Sequence, residues 1–218
     1  MHLVVGLGNP GERYARTRHN VAWAVLDELA ARHHAVQAPD HATYRMRQVS
    51  IGGRAVELVQ PLTYMNLSGD ALVAWRGERE VEPDLLVVSD DVYLPLGVLR
   101  VRTSGSTGGH RGLESIEAAV GSSDYARLRI GVGAAESSAG LREHVLEEVA
   151  PEEAPVLEEA VRRAADAVET WVAEGVLATM NEFNRIRPAA GSPVQPAAGQ
   201  AGAGLVHTEQ EHEEESET

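Results

Sequence analysis

The apolar run Leu3–Leu7 and the turn it enters constrain the fold more than any other feature of the chain. The residues are apolar without alternation, so the segment reads as a strand buried on both faces. It ends in Gly6-Leu7-Gly8-Asn9-Pro10-Gly11, a stretch whose residue types favour turns and close backbone approach. Similar apolar runs recur at Val56–Val59, Leu85–Val88 and Leu128–Val132. Residues 98–102 alternate and suit a half-exposed strand, and Tyr44 to Ile51, Gly52-Gly53 and Arg54 to Val59 read as a hairpin. Between these strands helical periodicity appears at 21–34, 69–76 with Ser68 as cap, 112–120, 151–174 and 176–186. The helix at 151 is expected to open on Pro151, with Glu152 and Glu153 at its positive end. Strands alternating with helices imply an α/β fold: one open, mixed, mostly parallel sheet in a single domain, with helices on both faces.

The glycine turn satisfies the pattern G-x-G-x-x-G, which binds a dinucleotide only when its last glycine opens a helix. Here the next periodic run starts about ten residues later, at Val21, and no acidic strand end lies roughly 20 residues on. The sequence therefore argues against a nucleotide cofactor. The turn instead leads to His19 and Asn20. A histidine exchanges a proton near neutral pH, so a loop that gathers Asn9 and His19 has the makings of an acid–base site.

Charge bears on the substrate. All 19 basic residues are arginine, and the formal net charge is −14. From Pro188 the composition turns to Ala, Gly, Pro and Gln and then to six Glu, so 188–218 is expected to be a disordered tail. Removing those six from 33 acidic residues leaves 27 against 19 arginines, a net of −8 for residues 1–187. That balance is unusual for binding a phosphate backbone. Several arginines nonetheless cluster in the turn-rich segments: Arg13, Arg16, Arg18, Arg100, Arg102, Arg111, Arg127 and Arg129. They make a local basic patch the expectation. With no cysteine there is neither a disulfide framework nor a sulfur metal site. The adjacent pair His33-His34 cannot offer two ligands from one helix face, and no metal site is expected. No apolar run is long enough to span a bilayer, and no signal segment opens the chain, so a cytoplasmic location is the default expectation.

Five segments, in order, resemble the motifs of the bacterial peptidyl-tRNA hydrolase family. They are the opening turn with Thr17-Arg18-His19-Asn20; Gln60 to Gly69; Val87-Val88-Ser89-Asp90-Asp91 with Leu94-Pro95-Leu96-Gly97; Gly108-Gly109-His110-Arg111-Gly112-Leu113; and Arg127 to Gly133. The likeness covers residues 1–187. It implies hydrolysis of the ester between a peptide and the tRNA 3′ end, with peptidyl-tRNA as partner, no cofactor and a monomeric enzyme. The alternative is a relative that keeps the fold and binds RNA or a protein without turnover.

By the same resemblance His19 is the base that activates water and Asp90 is its orienting carboxylate. Asp91 is the weaker candidate because neighbouring strand positions face opposite ways. Asn9 and Asn66 are amide donors for a developing oxyanion. Met65 is the apolar wall, and Tyr14, His110 and Arg111 are substrate contacts. The bland readings are a solvated loop histidine for His19, a turn former for Asn9 and a helix opener for His110. The chain departs from the family pattern at Arg111, where an Asn is usual, at Tyr93, where an acidic residue is usual, and in Ala134 to Ser138, which lacks the usual basic residues.

Overall fold

The first pair of strands to explain is the hairpin. In the computed structural model, β3 (Tyr44–Ile51) and β4 (Arg54–Pro61) pair antiparallel, with Ile51 opposite Arg54. The two linking glycines both have positive φ, 57° at Gly52 and 79° at Gly53, as a tight hairpin turn requires. The described residues are 1–77, 79, 82–133 and 140–185. The tail expected at 188–218 and the departure at 134–138 lie outside them.

Around this hairpin β1 (His2–Gly6), β2 (Val36–Gln37), β5 (Asp84–Asp91), β6 (Leu99–Arg102) and β7 (Ala126–Gly131) complete a seven-stranded sheet of order β2-β3-β4-β1-β5-β7-β6. The four central strands run parallel, and the edges pair antiparallel, so the sheet is mixed. Helices α1 (Val21–Arg32), α5 (Ala154–Glu174) and α6 (Val176–Phe183) pack with one apolar cluster; α2 (Ser68–Gly77) and α3 (Arg111–Val120) pack with the other. This division explains the unbroken apolar runs. Val4, Leu86 and Val88 point into the first cluster, while Leu3, Val5, Leu85 and Val87 point into the second. The short α4 (Leu141–Leu146) follows β7.

Several boundaries differ from the sequence expectation. The helix read from Pro151 begins at Ala154, and it is Pro155 that occupies its first turn. The last helix stops at Phe183 instead of continuing to 186. Ser68 does not cap α2 through its hydroxyl, which donates back to Met65 O at 2.8 Å. Strand β5 runs three residues past Val88, because Ser89, Asp90 and Asp91 stay in register with Arg129, Ile130 and Gly131 of β7. At the β6 edge the Asn184 amide donates to Val101 O at 3.0 Å and accepts from Val101 N at 2.7 Å. No described helix is long and apolar enough to cross a membrane.

Candidate active site

The parallel strands β1, β4 and β5 deliver their C-terminal ends to one side of the sheet, where open α/β sheets place their sites. A cavity of about 510 Å³ lies there. Every residue singled out from the sequence lines it: Asn9, Tyr14, His19, Met65, Asn66, Asp90, His110 and Arg111.

Asn9 is fixed first. Its backbone N–H donates to Asn20 Oδ1 at 2.8 Å, and its carbonyl accepts from Asn20 Nδ2 at 3.0 Å. Its own Oδ1 accepts from Met65 N at 2.8 Å. With that oxygen occupied, the Asn9 amide NH2 is the polar group left for the cavity. Asn20 sits at the N-cap of α1 yet makes no side-chain cap bond there. Its amide clamps the Asn9 loop instead, a role the sequence reading missed; its one signal was an Asn in a turn directly after His19. Gly8 is required beside the clamp, since a Cβ there would stand 2.5 Å from Trp23 Nε1.

The glycine pattern does not lead into a helix. Gly11, at φ 106°, is followed by a single 3-10 turn over Glu12–Tyr14, and α1 starts only at Val21. The amides that would hold a pyrophosphate are therefore missing from this place.

His19 sits in the 3-10 turn before α1, with its side chain 13 % exposed. Its Nδ1 lies 2.7 Å from Asp90 Oδ1. Asp90 shares the strand parity of Leu86 and Val88, whose face is covered by α1. Asp91 faces the other way; it pairs with Arg129 at 3.0 Å and accepts from Tyr93 N at 2.8 Å. Because Nδ1 donates to the carboxylate, Nε2 of His19 is left with its lone pair free. The His110 Nε2 reaches the same Asp90 oxygen at 3.0 Å. Burial of Asp90 favours the protonated acid, but the two imidazoles outweigh it and hold the carboxyl well below its ordinary range.

The arrangement can withdraw a proton through His19 and support the resulting imidazolium through Asp90. The ligand atoms of His19, Asp90 and His110 also lie within 4.8 Å of one another, a cluster close enough to hold a metal and one the sequence reading did not anticipate. Two N–H donors already converge on one carboxylate oxygen there, which is the pattern of a hydrogen-bonded triad.

The remaining predicted residues form the walls. Met65 is buried, with its sulfur against Gly112, where a Cβ would come within 2.4 Å. Asn66 is exposed at the cavity edge, and so is Arg111, the first residue of α3. Tyr14 carries Arg13 stacked 4.4 Å from its ring centre. Leu141, Val145 and Leu146 of α4 form an apolar wall that was not expected.

The basic patch is smaller than the sequence suggested. Arg18 is buried and donates to Glu148 O at 3.1 Å while pairing with Glu153. Arg127 is 1 % exposed, pairs with Glu117 at 2.6 Å and bonds Ser106 O. Both are structural. Arg13, Arg16, Arg102 and Arg111 remain exposed on the described surface, and Arg13, Arg111 and the half-buried Arg129 line the cavity.

Known proteins resemble the whole of this framework. The family model described as peptidyl-tRNA hydrolase matches residues 3–191. A protein named peptidyl-tRNA hydrolase from Roseiflexus castenholzii is 47% identical over 86% of this chain and 89% of its own length. Another of that name, from Chloroflexus aggregans, is 46% identical over 84% of this chain and 99% of its own. The crystal structure of peptidyl-tRNA hydrolase from Acinetobacter baumannii superposes with a TM-score of 0.80 at 34% identity, covering 87% of this chain and 97% of that one. Sequence and fold agree over the same residues that build the cavity, and the chain belongs to the peptidyl-tRNA hydrolase family.

Proposed function

We propose that this chain hydrolyses the ester joining a peptide to the 3′ end of tRNA, acting as a monomer in the cytoplasm. The observation that carries the reading is the His19–Asp90 pair, whose free Nε2 shares a cavity with the Asn9 amide. Water enters between them. His19 Nε2 takes a proton as the water oxygen attacks the ester carbonyl, and Asp90 supports the imidazolium that forms. The carbonyl oxygen becomes an oxyanion, for which the Asn9 amide is the buried donor and Asn66 a second donor at the edge. When the tetrahedral species collapses, the ribose oxygen leaves and takes the proton back from His19. The products are a peptide with a free carboxyl group and tRNA with its terminal hydroxyl restored.

The walls suit the two halves of such a substrate. Met65 and the α4 residues offer apolar surface to a peptide. Tyr14 with its stacked arginine, and Arg111, offer stacking and a bidentate grip to nucleotide and phosphate. The test is turnover of an N-blocked aminoacyl-tRNA by the wild type and by His19→Ala. The wild type releases the acyl group; the variant is expected to lose about 10²–10⁴-fold in kcat while keeping its fold. RNA binding without ester cleavage by the wild type would overturn the assignment in favour of a non-catalytic relative.

A further inference from the structure

His110 lines the cavity, but both of its ring nitrogens are occupied. Nδ1 accepts from the first turn of α3, from Gly112 N at 3.1 Å and Leu113 N at 3.3 Å. A ring nitrogen that accepts carries no proton. The single proton of the neutral ring is therefore on Nε2, which lies 3.0 Å from Asp90 Oδ1. Most histidines leave their tautomer open; here the helix terminus selects it. Adding a proton to Nδ1 would set it against two amide hydrogens and break both cap bonds. Histidine is also an unusual N-cap, a position where Ser, Thr, Asp and Asn dominate. An Asp or Ser would cap α3 as well but would not extend a second donor to Asp90.

We propose that His110 is a positioning residue for the hydrolytic reaction, locked by α3 as the Nε2–H tautomer, which sets how strongly Asp90 holds the base. Two imidazoles share one carboxylate oxygen, His19 at 2.7 Å and His110 at 3.0 Å. Charge drawn toward His110 is unavailable to His19, so Asp90 steadies the base without making it too ready to stay protonated. The rings stand 5.3 Å apart, close enough for one oxygen to serve both.

Other charged groups around the ring are accounted for. Asp91 of β5 is engaged with Arg129 of β7, and Arg111, beside His110 on α3, is exposed. The Gly112 position keeps the lock in place, since a Cβ there would press on His110 Cε1 at 3.0 Å as well as on Met65. The kinetic part of this inference rests on the hydrolase reading; the tautomer does not.

The test has two arms. In protein labelled with 15N-histidine, the long-range 1H–15N spectrum reports which ring nitrogen bears the proton. His110 is expected to show a protonated Nε2 and a bare Nδ1 in the folded protein at neutral pH. A proton on Nδ1 overturns the lock. The second arm uses His110→Asn, whose carbonyl still caps α3 but whose amide is too short to reach Asp90. The variant is expected to melt like the wild type and keep its KM, yet lose several-fold in kcat, and the acid limb of its rate profile is expected to move to higher pH. Wild-type kcat and an unmoved limb would make His110 a helix cap and nothing more. Should that variant misfold, the spectrum of the wild-type protein still decides the tautomer. Absence of turnover in the wild type would count against the hydrolase reading alone, because the NMR arm needs no substrate.

Discussion

A single amide, that of Asn20, sets the balance between local stability and site geometry. It occupies a helix N-cap, where an Asn normally accepts from the first turn and is worth about 1 kcal/mol. Here both halves of the amide are bound to the backbone of Asn9, at 2.8 and 3.0 Å. A local rule is broken where the reaction needs a fixed loop, which is where such departures are expected. Asn20→Ser separates the two roles. The serine hydroxyl is free to cap α1 but cannot both accept from and donate to Asn9. The melting temperature is expected to stay within a few degrees of wild type while kcat drops roughly 10-fold or more, the equivalent of losing one or two hydrogen bonds. Equal kcat in a steady-state comparison would show that the Asn9 loop holds itself. Asn9 and His19 were legible as one loop system because His19 stands eight residues after the glycine turn that ends a strand. The clamp could not be read, because which backbone an amide binds is decided by tertiary contacts.

At the scale of elements, strand order explains why the site was largely legible. β1 and β5 are neighbours, so whatever follows β1 meets whatever ends β5. That adjacency brings His19 to Asp90; from the sequence the pair was implied by the family resemblance, with strand parity counting only against Asp91. What was illegible lay in short or non-local pieces. β2 has two residues and α4 has six, too few for any period to emerge. Arg18 and Arg127 were read as solvent-facing because arginine usually is. Only contacts with Glu153 and Glu117, distant in sequence or across a turn, reveal them as buried partners.

Arg18 joins the turn before α1 to the backbone after α4 and to the start of α5. Arg18→Met keeps the stem and removes the donors, which leaves Glu148 O and Glu153 without their partner. A loss of about 3 kcal/mol is expected, at the low end for breaking a buried pair because Glu153 is partly solvated. Urea unfolding checks this, and a change of under about 0.5 kcal/mol, typical of surface substitutions, would place Arg18 among the surface arginines after all.

For the molecule as a whole, the triad couples catalysis to acid stability. Asp90 titrates lower in the folded protein than its ordinary value of 3.8, since the imidazoles of His19 and His110 outweigh its burial. A carboxyl depressed by folding contributes stability that is fully present above the unfolded value and disappears as the pH falls through the folded one. Wild type is therefore expected to exceed Asp90→Asn in unfolding free energy at neutral pH, with the gap narrowing once the pH drops below 3.8. Urea titrations across that range measure it; a gap independent of pH would remove Asp90 from the list of acid-labile contacts. A second expectation concerns charge. Among the described residues the core clusters extend to Phe183, and all six tail Glu lie beyond Pro188. Truncation after residue 187 is expected to leave the melting temperature within about 2 °C and to lower KM for tRNA substrates at low salt, with the difference vanishing as salt screens it. A KM that is the same at every ionic strength would show that the tail does not compete with phosphate.

The asparagine at the outer rim of the sheet has a meaning beyond packing. Asn184 binds the outward-facing N–H and C=O of Val101, the groups through which another extended chain would add itself to β6. By answering its own edge with a side chain that mimics a peptide group, the chain leaves Val101 no unpaired backbone group through which an extended segment could add itself to β6.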